Sequence, residues 1–215
     1  MLPPENLPES FRFTSAQAFL NEAIATLSAF SGLVMESMTR GDGWRFLDIG
    51  RRLERASQVV DLIRYGIGFD GGTESGQLEV LLEIADSTIT YRSRYLTSIQ
   101  AYLVLDLLLI DEANPRSVAY QIARLREHVD QLPGTRFSTR GAEEGRAEEA
   151  RIAISLLTAV QLAEIRELAV PDAEGRRANL ESLLNRLNAG LRSFSETLTR
   201  EYLNQAAPSQ RFSDY

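Results

Sequence analysis

Apolar residues recur at every third or fourth position along most of the chain, which is the spacing of one face of an α-helix. The pattern begins at Ser15, after a proline-rich segment, and its first helix continues to about Met38. We therefore expect an extended arm or linker over residues 1–14 and a single helical domain over residues 15–215.

A second helix is expected from about Trp44 to Tyr65. The segment Arg40-Gly41-Asp42-Gly43 separates it from the first helix, with Asp42 in a position to cap its N-terminus. One apolar stripe is expected to face the core, formed by Phe46, Ile49, Leu53, Ala56, Val60 and Ile63.

Further helices are predicted at about 75–96, 99–110, 114–132, 146–169 and 175–205. Asn114-Pro115 is predicted to start one of them, as the N-cap and the first helical position. Glycines after Tyr65 and the segment 133–145 are expected to form connections. Strand-like alternation is absent from the pattern, so the predicted fold class is all-α, an antiparallel bundle of about six to seven helices.

The residue types present exclude several kinds of chemistry. The chain has no cysteine and a single histidine, His128, so thiolate metal sites, zinc sites and Ser-His-Asp or Cys-His nucleophiles are not expected. Lysine is absent as well, which excludes Schiff-base chemistry and a Walker-type phosphate lysine. We expect no metal and no cofactor in this chain.

The net charge of −7 argues against nucleic acid as a partner, because phosphate-backbone binding requires a sustained basic face. The apolar stretch Tyr102 to Ile110 is shorter than the roughly 20 residues of a membrane span, and Asp106 interrupts it. The N-terminus lacks the pattern of a signal peptide. The expectation is a cytoplasmic protein without a membrane partner.

The polar side of the second helix is a candidate binding face. Trp44 projects away from the core stripe, and Asp48, Arg51 and Arg55 lie beside it. The alternative is a solvated face with an ion pair between Asp48 and Arg52. Because Arg51 and Arg55 are like charges one turn apart, an anion is expected nearby, from Glu36, Asp106 or a ligand.

Two charges fall within apolar stripes and are expected to pair. Arg92 lies among the apolar positions of the third predicted helix, and Asp106 lies among leucines of the fourth. Since an unpaired buried charge is costly, we predict an Arg92–Asp106 ion pair, with bracing favoured over catalysis. Tyr91, Arg94 and Tyr95 surround Arg92 and either bind an anion or cover the end of the bundle.

The remaining charged positions suggest weaker candidates. Asp111 and Glu112 precede the Asn114-Pro115 helix start, where negative charge is favourable. His128 is expected at the surface. Solvated charges at a helix start are expected for Glu143, Glu144, Glu148 and Glu149.

Several stretches together resemble the bacterial alpha-E domain family. They are ESMTR at 36–40, GWRFLDIGRRLERA at 43–56, ADSTITYR at 85–92 and DLLLIDEANPRS at 106–117. The resemblance extends from about residue 15 to the C-terminus. It assigns the chain to the C-terminal portion of the family's usual length.

The resemblance implies an all-helical domain encoded beside, or fused to, a circularly permuted ATP-grasp protein. It therefore implies a system that forms or processes amide or peptide bonds, with ATP and Mg²⁺ bound only by the partner. The charged positions that match the family pattern are Glu36, Arg45, Asp48, Arg51, Arg52, Glu54, Arg55, Arg92, Asp106, Asp111 and Glu112.

The chain departs from the family pattern in two places. Members usually carry an earlier helical half with its own Glu-Arg-Ala motif, and no second copy of that motif occurs here. Near the C-terminus, Gln205 stands where the family tends to have a histidine. Both departures weaken the case for independent catalysis.

Three functions remain open from the sequence. The favoured one is an accessory module that docks an ATP-grasp partner or an anionic substrate through the Trp44–Arg51–Arg55 face. The second is an enzyme for acyl transfer or amide hydrolysis, with Glu54 or Asp106 as its general base. The third is a self-associating structural protein, expected as a dimer, in which a second copy covers exposed apolar stripes.

Overall fold

The computed structural model describes residues 9–67, 74–132 and 147–203. The chain divides into two compact units, Met1–Trp44 and Arg45–Tyr215. All regular secondary structure in the three described ranges is helical and none of it is strand, which confirms the all-α prediction. The loop expected at 133–145, the glycine connection after Gly66, and Glu143, Glu144 and Gln205 lie outside the described residues.

The first unit consists of helix α1, Glu9–Ser37, and the start of α2. Helix α1 begins six residues before Ser15, so residues 9–14 are helical and the expectation of an extended arm is wrong for them. The helix is long and apolar enough over Phe13–Ser37 to cross a membrane, judged by length and composition only. None of that stretch is buried. A break between the first two helices is confirmed, but it spans residues 38–41, since α1 ends at Ser37 and α2 begins at Asp42.

Helix α2, Asp42–Ile67, leads into the second unit, where short helices follow one another closely. These are α3 Glu74–Ile84, α4 Thr88–Tyr95, α5 Ala101–Leu105 with a π-helical continuation Asp106–Ile110, α6 Val118–Val129, α7 Glu148–Gln161, α8 Ile165–Ala169, and α9 Ala178–Leu198 with a π-helical continuation Thr199–Leu203. Helix α7 packs against both α6 and α9.

The core of the second unit confirms the predicted apolar stripes. In α2, Ile49, Ala56, Val60 and Ile63 are fully buried, and Phe46 and Leu53 are partly buried against them. The stripe of α9 is likewise buried, from Leu180 to Leu198. The leucines of the 101–110 segment are almost all inaccessible, as expected for a central helix.

The prediction of one continuous helix over residues 75–96 is wrong. The chain turns at Ala85–Ser87, where Asp86 adopts the left-handed conformation (φ 50°) and the Ser87 amide donates to the Leu82 carbonyl at 2.8 Å. The turn changes the helical phase, so α4 buries Tyr91 and leaves Ile89 exposed. The predicted sixth helix is also broken, at residues 162–164.

The helix expected to start at Asn114-Pro115 begins instead at Val118. Ser117 is its N-cap, and its hydroxyl accepts from the Tyr120 amide at 3.0 Å. Asn114 is buried before the helix, where its amide donates to the Leu107 carbonyl and its oxygen accepts from the Arg116 amide. The N-cap assignment of Asn114 is therefore wrong, because its side chain closes the preceding turn.

Candidate functional site

Asp48 is the centre of a buried polar network between α2 and α6. Its carboxylate accepts from Arg52 Nε at 3.0 Å and lies 2.7 Å from His128 Nε2. The Asp48–Arg52 ion pair is confirmed, but Asp48 is only 3% exposed and so does not lie on a solvent face. His128 was expected at the surface; its side chain is 12% exposed, because α6 directs it towards Asp48.

The electrostatic surroundings of Asp48 keep it ionised. Burial by itself raises the pKa of a carboxyl group, but the hydrogen bond from His128 and the nearby Arg52 guanidinium have the larger combined effect. The pKa of Asp48 falls to about 2 as a result.

The second partner of Arg52 is Gln121 on α6. Arg52 Nη1 donates to Gln121 Oε1 at 3.2 Å, and the Gln121 amide nitrogen donates to the Pro115 carbonyl. The Tyr120 ring lies 5.5 Å from the guanidinium carbons of both Arg52 and Arg124. Arg52 is thus held by a carboxylate, an amide and an aromatic face.

Arg55, one turn after Arg51 on α2, has no such partner. The structure gives it no hydrogen bond or ion pair with any residue in the described ranges. Partial burial lowers the pKa of Arg55, and the positive charges of Arg51, Arg52 and Arg116 lower it further. The carboxylate of Asp48 acts in the opposite direction, but its effect on the pKa is smaller than that of each of those three arginines.

Arg55 and Arg116 line a surface cleft of about 270 Å³. Gln58 and Gln121 supply further polar groups, and Val59 and Leu62 contribute to an apolar wall. Arg116 also forms an exposed ion pair with Asp86, the residue in the left-handed conformation. The cleft therefore combines two arginine side chains, two amides and an apolar surface.

The predicted Arg92–Asp106 ion pair does not form. Arg92 is exposed and pairs with Glu79 at 3.3 Å, while Asp106 accepts from the Tyr95 hydroxyl at 2.5 Å. The prediction assumed one continuous helix over 75–96, and the turn at Asp86 rotates Arg92 away from the core. Burial and the hydrogen bond to Asp106 raise the pKa of Tyr95.

The other candidate residues each make a separate contact and do not form one site. Tyr91 is buried, donates to the Ser98 carbonyl and accepts from the Gln100 amide, so it is a core residue. Arg94 pairs with Asp111. Gln161 donates to Glu112 at 2.6 Å.

Three further candidates lie on α2. Arg45 donates to Gln131 on the chain after α6. Glu54 accepts from Gln58 at 2.8 Å. Trp44 belongs to the first unit, where the Arg40 guanidinium lies 4.7 Å from its ring centre. The docking face expected from Trp44 together with Arg51 and Arg55 stays a prediction.

Sequence reasoning missed the cleft residues contributed by other segments. Arg116 and Gln121 follow Pro115 in the chain, and only the turn around Asn114 brings them beside α2. Glu149 was expected to be solvated but is 2% exposed, with the Tyr202 hydroxyl 2.8 Å away. No group of three or more His, Cys, Asp or Glu side chains in the described part of the chain is arranged to hold a metal ion.

The fold and the cleft together define a small all-helical domain with a cluster of arginines between α2 and the segment before α6. A family model described as a predicted alpha-helical domain with a conserved ER motif, named Alpha-E, matches residues 5–203. The chain therefore belongs to the alpha-E family. Its sequence contains a single Glu-Arg dipeptide, Glu54-Arg55, and the arginine of that pair lines the cleft.

Curated relatives are named as uncharacterized proteins. Protein Rv2567 of Mycobacterium tuberculosis (strain H37Rv) and protein Mb2597 of Mycobacterium bovis are each 32% identical over 204 residues, or 94% of this chain. The matched region is 22% of each relative, so the chain spans about a fifth of their length. No solved structure is significantly similar to the chain.

Proposed function

We propose that this domain is an accessory module that binds an anionic group in the Arg55 cleft, on a substrate or partner of an amide- or peptide-bond-forming system. The observation that carries the proposal is that Arg55 has no carboxylate partner among the described residues, although three other arginines lie near it. Those three each have a partner: Arg51 and Arg52 contact Asp48, and Arg116 pairs with Asp86. Like charges this close repel one another, and an anion between them removes that repulsion.

The arrangement suits a carboxylate or a phosphate. A guanidinium donates two parallel hydrogen bonds to either group, and two guanidiniums on one cleft can hold a single anion from two sides. Gln121 is fully buried, with both polar atoms of its amide engaged, and the amide nitrogen of Gln58 donates to Glu54. The polar contacts expected for the ligand are therefore those of the two arginines, and the apolar wall suits an aliphatic portion. We therefore expect a small acid, an acidic peptide end or a phosphorylated acid.

The neighbouring network supports a binding role because it holds Gln121, which lines the cleft, in place. Arg52 is held by Asp48, and Gln121 by both Arg52 and the Pro115 carbonyl. Side chains that are held before the ligand arrives lose less conformational entropy on binding. Asp48, which also contacts His128, thus acts on the cleft indirectly, by holding Arg52 against Gln121.

The ATP-grasp association follows from the family resemblance and belongs to the proposal. A partner that activates carboxylates would supply or consume the anionic group that the cleft is suited to hold. The mycobacterial relatives are about four and a half times longer than the matched region, which leaves room for additional domains in those proteins.

Calorimetric titration tests the anion site directly. Acetate, inorganic phosphate and diphosphate would each be titrated into wild type, Arg55→Gln and the exposed control Arg151→Gln. We expect at least about a tenfold loss of affinity in Arg55→Gln, an unchanged Arg151→Gln, and weaker wild-type binding at higher salt. Equal affinities in wild type and Arg55→Gln would contradict the proposal.

The accessory role has a separate test. Wild type and Arg55→Gln would be mixed with the purified circularly permuted ATP-grasp protein of the same bacterium, and the complex measured with and without diphosphate. Binding that Arg55→Gln loses and diphosphate competes away would support docking through the cleft. Binding that is insensitive to both would place the docking surface elsewhere.

The enzyme alternative has weaker support. Neither Glu54 nor Asp106 lines the arginine cleft, and each accepts a hydrogen bond from a nearby side chain, Gln58 or Tyr95. A general base must reach the group that it deprotonates. The geometry therefore favours binding over acyl transfer or hydrolysis.

A further inference from the structure

Helix α1 carries a large apolar surface that its own unit leaves uncovered. Eight large hydrophobic side chains on it are between 46% and 73% exposed: Phe13, Phe19, Leu20, Ile24, Leu27, Phe30, Leu33 and Met35. At roughly 100 Å² each, they amount to roughly 800 Å² per copy, which is the size of a standard protein interface on one partner. A surface of this size and length requires a partner to cover it.

The apolar positions of α1 follow a heptad repeat over three consecutive heptads, residues 13–33. Positions a of the repeat are Phe13, Leu20, Leu27 and Val34, and the intervening d positions include Ala16, Ala23 and Phe30. The flanking e and g positions add Ile24, Phe19 and Leu33. Apolar residues at alternating spacings of three and four form the seam of a coiled coil.

The two charges of the apolar stretch lie away from this seam. Glu22 and Glu36 both occupy position c, on the outer side of the helix. In a membrane span, Glu22 would lie near the middle of the 25 residues, where a charge is costly. A helix lying on a lipid surface usually carries Lys or Arg on its polar face, and residues 13–37 contain neither. A second helix therefore fits the surface better than a lipid does.

We propose that α1 pairs in antiparallel orientation with α1 of a second copy of this chain. A two-fold axis near Ala25 places Leu27 against the partner's Ala23 and Val34 against the partner's Ala16. The layer of Phe13 and the partner's Ser37 likewise combines a larger and a smaller side chain, so three of the four distinct layers are of this kind. In the fourth layer, Leu20 faces the partner's Phe30. A parallel pair would place Ala23 against the partner's Ala23 and leave alternating gaps.

Sedimentation equilibrium of the full chain tests the pairing. Wild type, Leu27→Glu and Ala25→Glu would be compared between about 0.5 and 100 μM; Ala25 is the matched control because it is exposed and lies on the outer f position. We expect a wild-type dimer, an unchanged Ala25→Glu, and at least about a hundredfold weaker dimer in Leu27→Glu. A wild-type monomer at 100 μM, or a Leu27→Glu dimer of wild-type affinity, would overturn the proposal.

Spin-label distances give a test that does not depend on a disruptive variant. The chain has no cysteine, so Ala18→Cys and Ala25→Cys each introduce a single labelling site on the outer face. Antiparallel pairing separates the two labels at position 18 by about 21 Å along the axis, and the labels at position 25 by almost none. Equal distances at both sites would contradict the antiparallel arrangement.

Flotation with phosphatidylcholine and with phosphatidylserine vesicles separates the lipid alternative. We expect the wild-type dimer to remain unbound to either. A chain that is monomeric in solution and binds vesicles through Leu27 would show that α1 meets a membrane, which overturns the pairing.

Discussion

Helices α1 and α2 have a similar spacing of apolar residues, but α1 exposes these residues and α2 buries them. Along Phe13–Ser37 no residue of α1 is buried, whereas α2 buries Ile49, Ala56, Val60, Ile63, Ile67 and the carboxylate of Asp48. The spacing of apolar residues identifies a helix and the face that requires cover. It does not identify what covers that face, which for α2 is the rest of its unit and for α1 is proposed to be another chain.

The largest expected effect compares a buried with an exposed aliphatic residue. Ile63→Ala should lower the free energy of unfolding by about 3 kcal/mol, because it leaves a cavity in a fully packed core. Leu27→Ala should lower it by less than about 0.5 kcal/mol at concentrations where the chain is monomeric, since Leu27 is 64% exposed. Urea unfolding at protein concentrations below about 0.5 μM, where the chain is monomeric, provides the measurement. Equal losses would contradict the contrast between the helices.

The buried carboxylate of α2 gives a pH-dependent effect. The pKa of Asp48 is about 2 in the folded protein and 3.8 in its reference state, so the stability that its ionisation contributes is complete above about pH 5 and is mostly lost between pH 4 and pH 2. Asp48→Asn should cost about 2 kcal/mol at pH 6, and the difference from wild type should shrink as the pH falls from 4 towards 2.

Urea unfolding at several pH values measures this difference. The exposed variant Asp130→Asn serves as the control and should show little difference at any pH. A constant gap between Asp48→Asn and wild type across this range would show that Asp48 acts through shape instead of charge.

Substitution of one helical glycine in α1 and one in α9 should change stability by a smaller amount and in opposite directions. Gly32 in α1 has open space where a Cβ would lie, so Gly32→Ala should stabilise that helix by about 0.5–1 kcal/mol. Gly190 in α9 packs against Leu156 of α7, and a Cβ there would lie 2.5 Å from Leu156 Cδ2. Gly190→Ala should therefore cost about 1 kcal/mol despite its better helix propensity. Thermal unfolding followed by circular dichroism distinguishes the two signs.

The smallest effect is expected at Arg92, on the outer side of α4. Its ion pair with Glu79 is exposed on both sides, so Arg92→Ala should change the unfolding free energy by less than about 0.5 kcal/mol. A double-mutant cycle with Asp106→Asn should give coupling near zero. A coupling energy above about 1 kcal/mol would show that Arg92 and Asp106 interact, as the sequence suggested.

The sequence predicts the fold class and the buried stripes because periodicity is a local property. It fails where a single backbone turn changes the phase, as at Asp86, whose left-handed conformation moves Arg92 outward. It also fails for His128, since nothing local shows that α6 will direct that ring towards Asp48. The arginines of α2 could be identified as candidates, but Arg116 and Gln121 join them only through the tertiary fold.

The most direct test of the anion site is a crystal structure of the chain soaked with tungstate, a heavy oxyanion located by its anomalous scattering. The account predicts a tungstate within about 4 Å of guanidinium nitrogens of Arg55 and Arg116. A structure in which the cleft holds no tungstate and Arg55 instead pairs with a carboxylate of the chain would contradict it.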